Sequence, residues 1–296
     1  MVIPQLQYTE PLFRPPSEGR SLILQITDGC SWNKCAFCEM YTSKKFSVKN
    51  ENVLFSEIES LSPYSSQIRK VFLADGNAMV LSYDRLMRIF EKLNNTFPNL
   101  IRISAYALPK DINSKTDYQL KELANAGLKL LYTGIETGDN ELLKLINKGE
   151  TKQSTIEGLV AARNAGIKLS VMILNGLGGK QYSKQHAVNS ALVVNEVQPE
   201  YLSTLVLSFP LGLNHYKNKF AGNFIEMSKI DLIAEMGILI KNLELKSTIF
   251  RSDHASNYLV LKGILNRDKP KLLMKINDVI ENPHFSGLRP EWLRGL

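Results

Sequence analysis

Short β-branched or aliphatic runs alternate along this chain with longer amphipathic stretches, and no other feature constrains the fold as tightly. The pattern is that of βα units laid around a parallel sheet. Six strands are expected, at Ser21–Thr27, Lys70–Ala74, Ile101–Tyr106, Leu128–Thr133, Ile167–Leu174 and Tyr201–Leu207. Parallel strands buried on both faces read as nearly continuous apolar runs, as Val71-Phe72-Leu73-Ala74 and Leu169–Leu174 do. Helices are expected near Asn52–Leu61, after Ser82, over Asp117–Ala126, around Glu141–Ile146 and over Thr151–Ala165. Asp139 stands where an N-cap is needed, and Gly127 and Gly166 stand where C-caps are needed.

Six βα repeats are two short of a full eight-stranded barrel. Beyond Phe209-Pro210 the rhythm changes to a helix near Ser228–Leu243, a short segment Ser247–Phe250 and a lysine-rich helix from Pro270 to Ile280. The expected architecture is therefore α/β: a partial (β/α)6 TIM-type barrel core over residues 21–209, preceded by a segment 1–20. An α-rich C-terminal extension over 210–296 packs on the barrel. No Gly- or Ser-rich linker divides these parts.

No stretch of about 18 apolar residues occurs, so membrane insertion is not expected. Residues 1–20 carry Pro4, Pro15, Pro16 and several charges, without the apolar h-region of a secretory signal. The chain has three cysteines, Cys30, Cys35 and Cys38, all within nine residues. So tight and odd a group is a poor disulfide framework, and a cytoplasmic location with thiols kept for a task is expected. The net charge of +7 is scattered over the chain, which leaves an anionic partner, nucleic acid included, open.

The cysteines fall in Thr27-Asp28-Gly29-Cys30-Ser31-Trp32-Asn33-Lys34-Cys35-Ala36-Phe37-Cys38, spaced C-x4-C-x2-C on a loop after the first strand. Three thiolates on one short loop can converge on a soft metal centre. Structural zinc would need a fourth ligand, available from His186, His215, His254 or His284. An iron–sulfur cube held by three cysteines would leave one iron open to a small molecule. The spacing alone admits both.

In context the segment resembles the cysteine loop of the radical S-adenosylmethionine (radical SAM) superfamily, which follows the first strand of a partial (β/α)6 barrel. Phe37 matches the aromatic residue that precedes the last cysteine there. The usual spacing is C-x3-C-x2-C, one residue shorter than here. The resemblance implies that Cys30, Cys35 and Cys38 hold a 4Fe-4S cluster whose open iron is chelated by the amino and carboxylate groups of S-adenosylmethionine. It implies reductive cleavage of that cofactor to a 5′-deoxyadenosyl radical, which abstracts hydrogen from a substrate, and a one-electron donor such as flavodoxin or ferredoxin.

The likeness runs over roughly Leu22–Leu207. Ala74-Asp75-Gly76-Asn77 ends the second strand where many members carry Gly-Gly-Glu, which implies that Asp75 and Asn77 accept hydrogen bonds from the cofactor's ammonium and that Gly76 allows close approach. Gly134-Ile135-Glu136-Thr137-Gly138, followed by Asn147-Lys148-Gly149, resembles a segment of coproporphyrinogen oxidase-like and Elongator-like members and implies that Glu136 contacts ribose or ammonium. Asn175-Gly176-Leu177-Gly178-Gly179 resembles the turn whose backbone meets the adenine. Arg102, Ser104 and Tyr106 alternate on the third strand and share a face, expected to line the cofactor or substrate pocket. His186 is expected on the surface. In the extension, His254 within Arg251–Tyr258 is the candidate acid or base. With no further cysteine, a second cluster has no thiol ligands. A zinc-stabilised protein, or a cluster- or haem-binding protein without radical turnover, is the competing reading.

Overall fold

The computed structural model describes residues 6–283 and 287–294, so His284 lies outside the described residues. The chain forms two compact units. The first comprises the stretch ending at Asn33, with Met40–Thr133 and Glu157–Leu169; the second comprises Lys34–Glu39, Gly134–Ile156 and the stretch from Ser170 onward.

In the first unit, β1 (Leu22–Gln25) is followed by the short antiparallel pair β2 (Thr27–Asp28) and β3 (Ser47–Val48), then α1 (Glu51–Ser60), β4 (Lys70–Ala74), α2 (Tyr83–Thr96), β5 (Arg102–Tyr106), α3 (Pro109–Asn113), α4 (Asp117–Asn125) and β6 (Leu128–Glu136). The parallel order is β1-β4-β5-β6. Val71, Phe72, Leu73 and Ala74 are all buried, as a parallel strand covered on both faces requires. Helix α2 turns Leu86, Ile89, Phe90 and Leu93 inward at helical spacing. Asn50 caps α1, and Thr116 with Gln119 forms a capping box on α4, so each helix starts where a side chain can satisfy its first amides.

A buried carboxylate closes one end of this unit. Glu18, at the end of the single-turn helix Pro16–Glu18, accepts two hydrogen bonds from Arg102 at 2.8 Å, one from the Tyr132 hydroxyl at 2.6 Å, and one from Ser21. Burial pushes this carboxyl up, but the Ser21 and Tyr132 hydrogen bonds and the Arg102 charge outweigh it, and the net shift is downward. A depressed acid contributes stability above its unfolded value of about 4.3 and loses it as pH falls through the folded value. Glu18→Gln is expected to cost about 2 kcal/mol at neutral pH. Urea midpoints measured from neutral to acid pH should converge with those of the unaltered protein at the acid end.

The second unit contains α5 (Asn140–Leu145), β7 (Lys168–Asn175), α7 (Gly179–Val197), β8 (Tyr201–Val206), α8 (Leu213–Lys219), α9 (Lys229–Asn242), β9 (Ile249–Ser252), β10 (Leu261–Ile264) and α10 (Leu265–Glu281); α6 (Lys152–Asn164) begins in it. Strands β7, β8 and β9 are parallel, with Met172 opposite Ser203 and Ser203 opposite Arg251, and β10 returns antiparallel on β9. The extension is thus helical as expected in α9 and α10, but it also adds the helix α8 and two strands. The expected segment Ser247–Phe250 overlaps β9, which starts at Ile249, and α10 begins five residues before Pro270, at Leu265. Strand β6 runs on to Glu136, so the Gly134-Ile135-Glu136 string is strand and not the loop after it. Among the described residues no helix is long and apolar enough to cross a membrane.

Candidate functional site

The cysteine loop begins at the carboxyl end of β1. In the first unit it is gripped by the end of β4. Asp75 Oδ2 accepts from Lys44 Nζ at 2.7 Å, from the Gly29 amide at 3.0 Å and from Gln25 Nε2 at 3.4 Å. Gly76 donates its amide to Gly29 O at 3.0 Å. A Cβ on Gly76 would stand 2.8 Å from the Tyr41 ring and 3.0 Å from Cys30 Cβ, so glycine is needed for the β4 end to lie against Cys30. Asn77 donates to Ser31 Oγ at 2.8 Å and to Asp111 at 2.5 Å, and accepts from the Leu108 amide at 3.3 Å. Both polar side chains expected to receive the cofactor's ammonium are therefore fully buried and engaged within the protein. Trp32, between the first two cysteines, has the Lys110 ammonium 4.2 Å above its ring.

In the second unit the Ala36 amide donates to Ile146 O at 2.8 Å, pinning the loop to the turn after α5. That turn is tight: Asn147 and Gly149 both have positive φ, 51° and 72°. Between them Lys148 points inward, 6% exposed, with Nζ 3.2 Å from Glu136 Oε1 and 5.6 Å from the Phe37 ring centre. Burial pushes the Lys148 ammonium down, but the charge of Glu136 and then those of Cys35 and Cys38 outweigh it, and the net shift is upward. Glu136 itself has φ 65°, and its Oε2 is buried without a hydrogen-bond partner. Its carboxylate folds back so far that a Cβ on Gly134 would lie 1.8 Å from Oε1. The glycine and the carboxylate of this string form one packing unit. Lys148 was not expected from the sequence to carry a role.

The next strand ends meet a second buried pair. His186 on α7 is 1% exposed, which corrects its expected surface position: α7 packs against α9, and the imidazole lies inside that contact. Its Nδ1 is 2.8 Å from Thr137 Oγ1, and its Nε2 is 3.8 Å from Glu235 Oε1 on α9. Burial pushes His186 down to about 4 and Glu235 up to about 7. Glu235 Oε1 accepts the Gly176 amide at 2.6 Å, and Asn175 donates to Leu232 O at 3.0 Å. Gly176, at φ 83°, leaves no room for a side chain, because a Cβ would sit 2.5 Å from Leu232. The turn expected to offer backbone to adenine thus has its Gly176 amide already taken by Glu235.

Other expected site residues are placed elsewhere. Arg102 opens β5, at its amino end, and is committed to Glu18; Ser104 is buried and donates to Val71 O at 3.3 Å. Neither is free to line a pocket at the strand's carboxyl end, and Tyr106 packs edge-on against Phe72 and Tyr132. His254 accepts the Ser256 amide on Nδ1 at 3.1 Å, so any proton of the neutral ring is on Nε2. Arg289 binds the carbonyls of His254, Ala255 and Asn257, which ties this loop to itself. Burial and then the Arg289 charge push His254 below its ordinary value.

Among the described residues no group of three or more His, Cys, Asp or Glu is placed to hold a single metal ion. The three cysteines are not disulfide-bonded, are partly exposed and lie outside helices and strands. As a donor set they fit an iron–sulfur cluster, which takes thiolates from an irregular loop. His186 and His254, offered as a fourth zinc ligand, are engaged with Thr137 and Ser256.

A family model for the radical SAM superfamily matches residues 24–188, more than half of the chain. The chain is 27% identical over 199 residues to tRNA-2-methylthio-N(6)-dimethylallyladenosine synthase of Chloroherpeton thalassium, covering 64% of this chain and 42% of that protein. It is 23% identical over 141 residues to the heme chaperone HemW of Bacillus subtilis, covering 47% and 37%. It spans less than half the length of each of these curated relatives. Coproporphyrinogen III oxidase from Escherichia coli is similar in structure, with a TM-score of 0.57 at 17% identity, covering 75% of this chain and 52% of that one. That likeness shows the fold. The matched stretch includes all three cysteines and the Gly134–Gly138 string, and the chain belongs to the radical SAM superfamily, whose members use a 4Fe-4S cluster and S-adenosylmethionine.

Proposed function

We propose that this chain cleaves S-adenosylmethionine reductively and uses the resulting radical on a substrate. The observation that carries the reading is the family match over residues 24–188, with Cys30, Cys35 and Cys38 as the thiol supply. Held by Cys30, Cys35 and Cys38, a reduced 4Fe-4S cluster would supply the one electron that reductive cleavage of S-adenosylmethionine to methionine and a 5′-deoxyadenosyl radical requires. The chain's own part is positional. Asp75, Gly76 and Asn77 fix the backbone around Cys30. Lys148 holds Glu136 at the end of β6, where the buried, unsatisfied Oε2 can accept a hydroxyl or ammonium of the cofactor. Gly176 is set by Glu235, which fixes the neighbouring turn. Burial of these groups excludes water from the polar atoms they present.

Radical SAM enzymes need an electron donor, and we infer a flavodoxin or ferredoxin for this one. We infer a reducing compartment, the cytoplasm, because a cluster held by thiolates needs cysteines that are kept reduced. The test is anaerobic reconstitution followed by dithionite and S-adenosylmethionine. Four irons per chain, a visible absorbance that bleaches on reduction, and release of 5′-deoxyadenosine are expected. Cys35→Ala should lose the cluster; Glu136→Ala should keep it and bind the cofactor more weakly. A fully loaded, reduced protein that binds S-adenosylmethionine yet releases no 5′-deoxyadenosine would instead support a cluster-carrying role without turnover.

A further inference from the structure

We propose that Asp75 is a positioning residue that locks the cysteine loop through an ion pair with Lys44, and that it is not a ligand of the cofactor's ammonium. The proposal rests on reading Cys30 as a cluster ligand. The carboxylate at the end of β4 stands where an acceptor for an ammonium is expected, but it already has one from this chain. Lys44 Nζ is 2.7 Å from Asp75 Oδ2 and also donates to Thr9 O, and the two side chains are 3% and 0% exposed. Asp75 Oδ1 is buried too and has no hydrogen-bond partner, so the lock is made through Oδ2 alone, and the cofactor-affinity arm of the test below decides whether Oδ1 takes an ammonium.

The same Oδ2 receives the Gly29 amide at 3.0 Å. One carboxylate thereby joins the residue before Cys30 to a residue downstream of Cys38. Contacts around it tighten the junction. A Cβ on Gly29, at φ 66°, would lie 3.2 Å from Lys44 Cβ. Asn33 Nδ2 donates to Tyr41 O at 2.9 Å, and Gly76 lies against Cys30 on the other side. Closing a loop costs entropy, and a buried ion pair with defined geometry selects one closed form over others. The lock therefore sets the position of the Cys30 thiol before iron arrives, and the cofactor's ammonium is left to acceptors other than Asp75.

Three variants test this: Asp75→Asn, Lys44→Met, and the two combined, which leaves no uncompensated buried charge and guards against simple misfolding. In iron-free protein, alkylation of Cys30, read by mass spectrometry, should accelerate in all three while circular dichroism is unchanged. After anaerobic reconstitution, iron should be lost on desalting about 10- to 100-fold faster, the range for outer-sphere partners of metal ligands. S-adenosylmethionine affinity, measured per loaded cluster, should stay within about twofold of the unaltered protein if Asp75 makes no contact with the cofactor. The opposite pattern, with Asp75→Asn keeping its iron but losing cofactor affinity and Lys44→Met behaving as the unaltered protein, would overturn the proposal. If the unaltered protein itself takes up no iron, the cluster reading fails, whereas unchanged Cys30 alkylation in the iron-free variants refutes the lock on its own.

Discussion

Lys148→Met should lower the free energy of unfolding by about 3–5 kcal/mol, the usual cost of removing one partner of a buried ion pair. The loss comes from Glu136, whose carboxyl would lose its ion-pair partner at the end of β6 while 4% exposed, with Oε2 already unpartnered. The methionine fills much of the lysine stem's volume, so the effect reports charge more than packing. Adding Glu136→Gln should restore most of the loss, because the second substitution removes the stranded charge; the two changes will be strongly non-additive. Urea denaturation of both single variants and the double variant is the measurement. Equal, additive costs would show that the pair contributes by packing alone.

Glu235→Gln should stabilise the protein at alkaline pH. Burial raises this carboxyl to about 7, so its folded value lies above its unfolded value of about 4.3. Such a group imposes no penalty while protonated in both states. Stability falls as pH rises between the two values, and above about 7 the charged form has lost about 4 kcal/mol relative to a neutral isostere. Glutamine keeps an acceptor for the Gly176 amide and cannot ionise, so the variant should gain that amount at alkaline pH and little under acid conditions. His186 works in the other direction. Depressed to about 4 by burial, it contributes stability above its unfolded value near 6.5 and loses it as pH falls toward 4. The two windows, about 4.3–7 and about 4–6.5, overlap with opposite slopes, so thermal midpoints across this range should rise more steeply with pH in Glu235→Gln than in the unaltered protein. A variant that tracks the unaltered protein at every pH would show that Glu235 titrates normally.

Much of the architecture is legible in residues 70–206. Strands β4, β5, β7 and β8 lie within a residue or two of their expected bounds; β4 is written almost wholly in apolar residues because it is buried on both faces, whereas β8 alternates buried and partly exposed positions. Asp139 caps α5 as its position demands, accepting the Leu142 amide at 2.8 Å. Strands β9 and β10 are hard to read because each has only four residues, and β9 joins the sheet through a remote partner, Ile249 opposite Tyr201. The site was legible in its motifs but not in its partners. Asp75 and Asn77 have the right chemistry for an ammonium, but nothing local reveals that Lys44 and Ser31 reach them first. Lys148 resembles a solvated turn lysine; only its place between Asn147 and Gly149, both apt for positive φ, hints that the backbone turns it inward. His186 follows Lys184-Gln185, and its burial depends on α9, which follows more than 30 residues later.

Trp32 gives the cysteine loop an optical consequence. The chain has two tryptophans; Trp292 is 81% exposed, whereas Trp32 lies between the first two cysteines beneath the Lys110 ammonium. Indole emission depends on nearby charge and is quenched by an adjacent iron–sulfur centre. The loop therefore carries its own fluorophore, and filling of the thiols can be followed in real time without a label, against a constant background from Trp292.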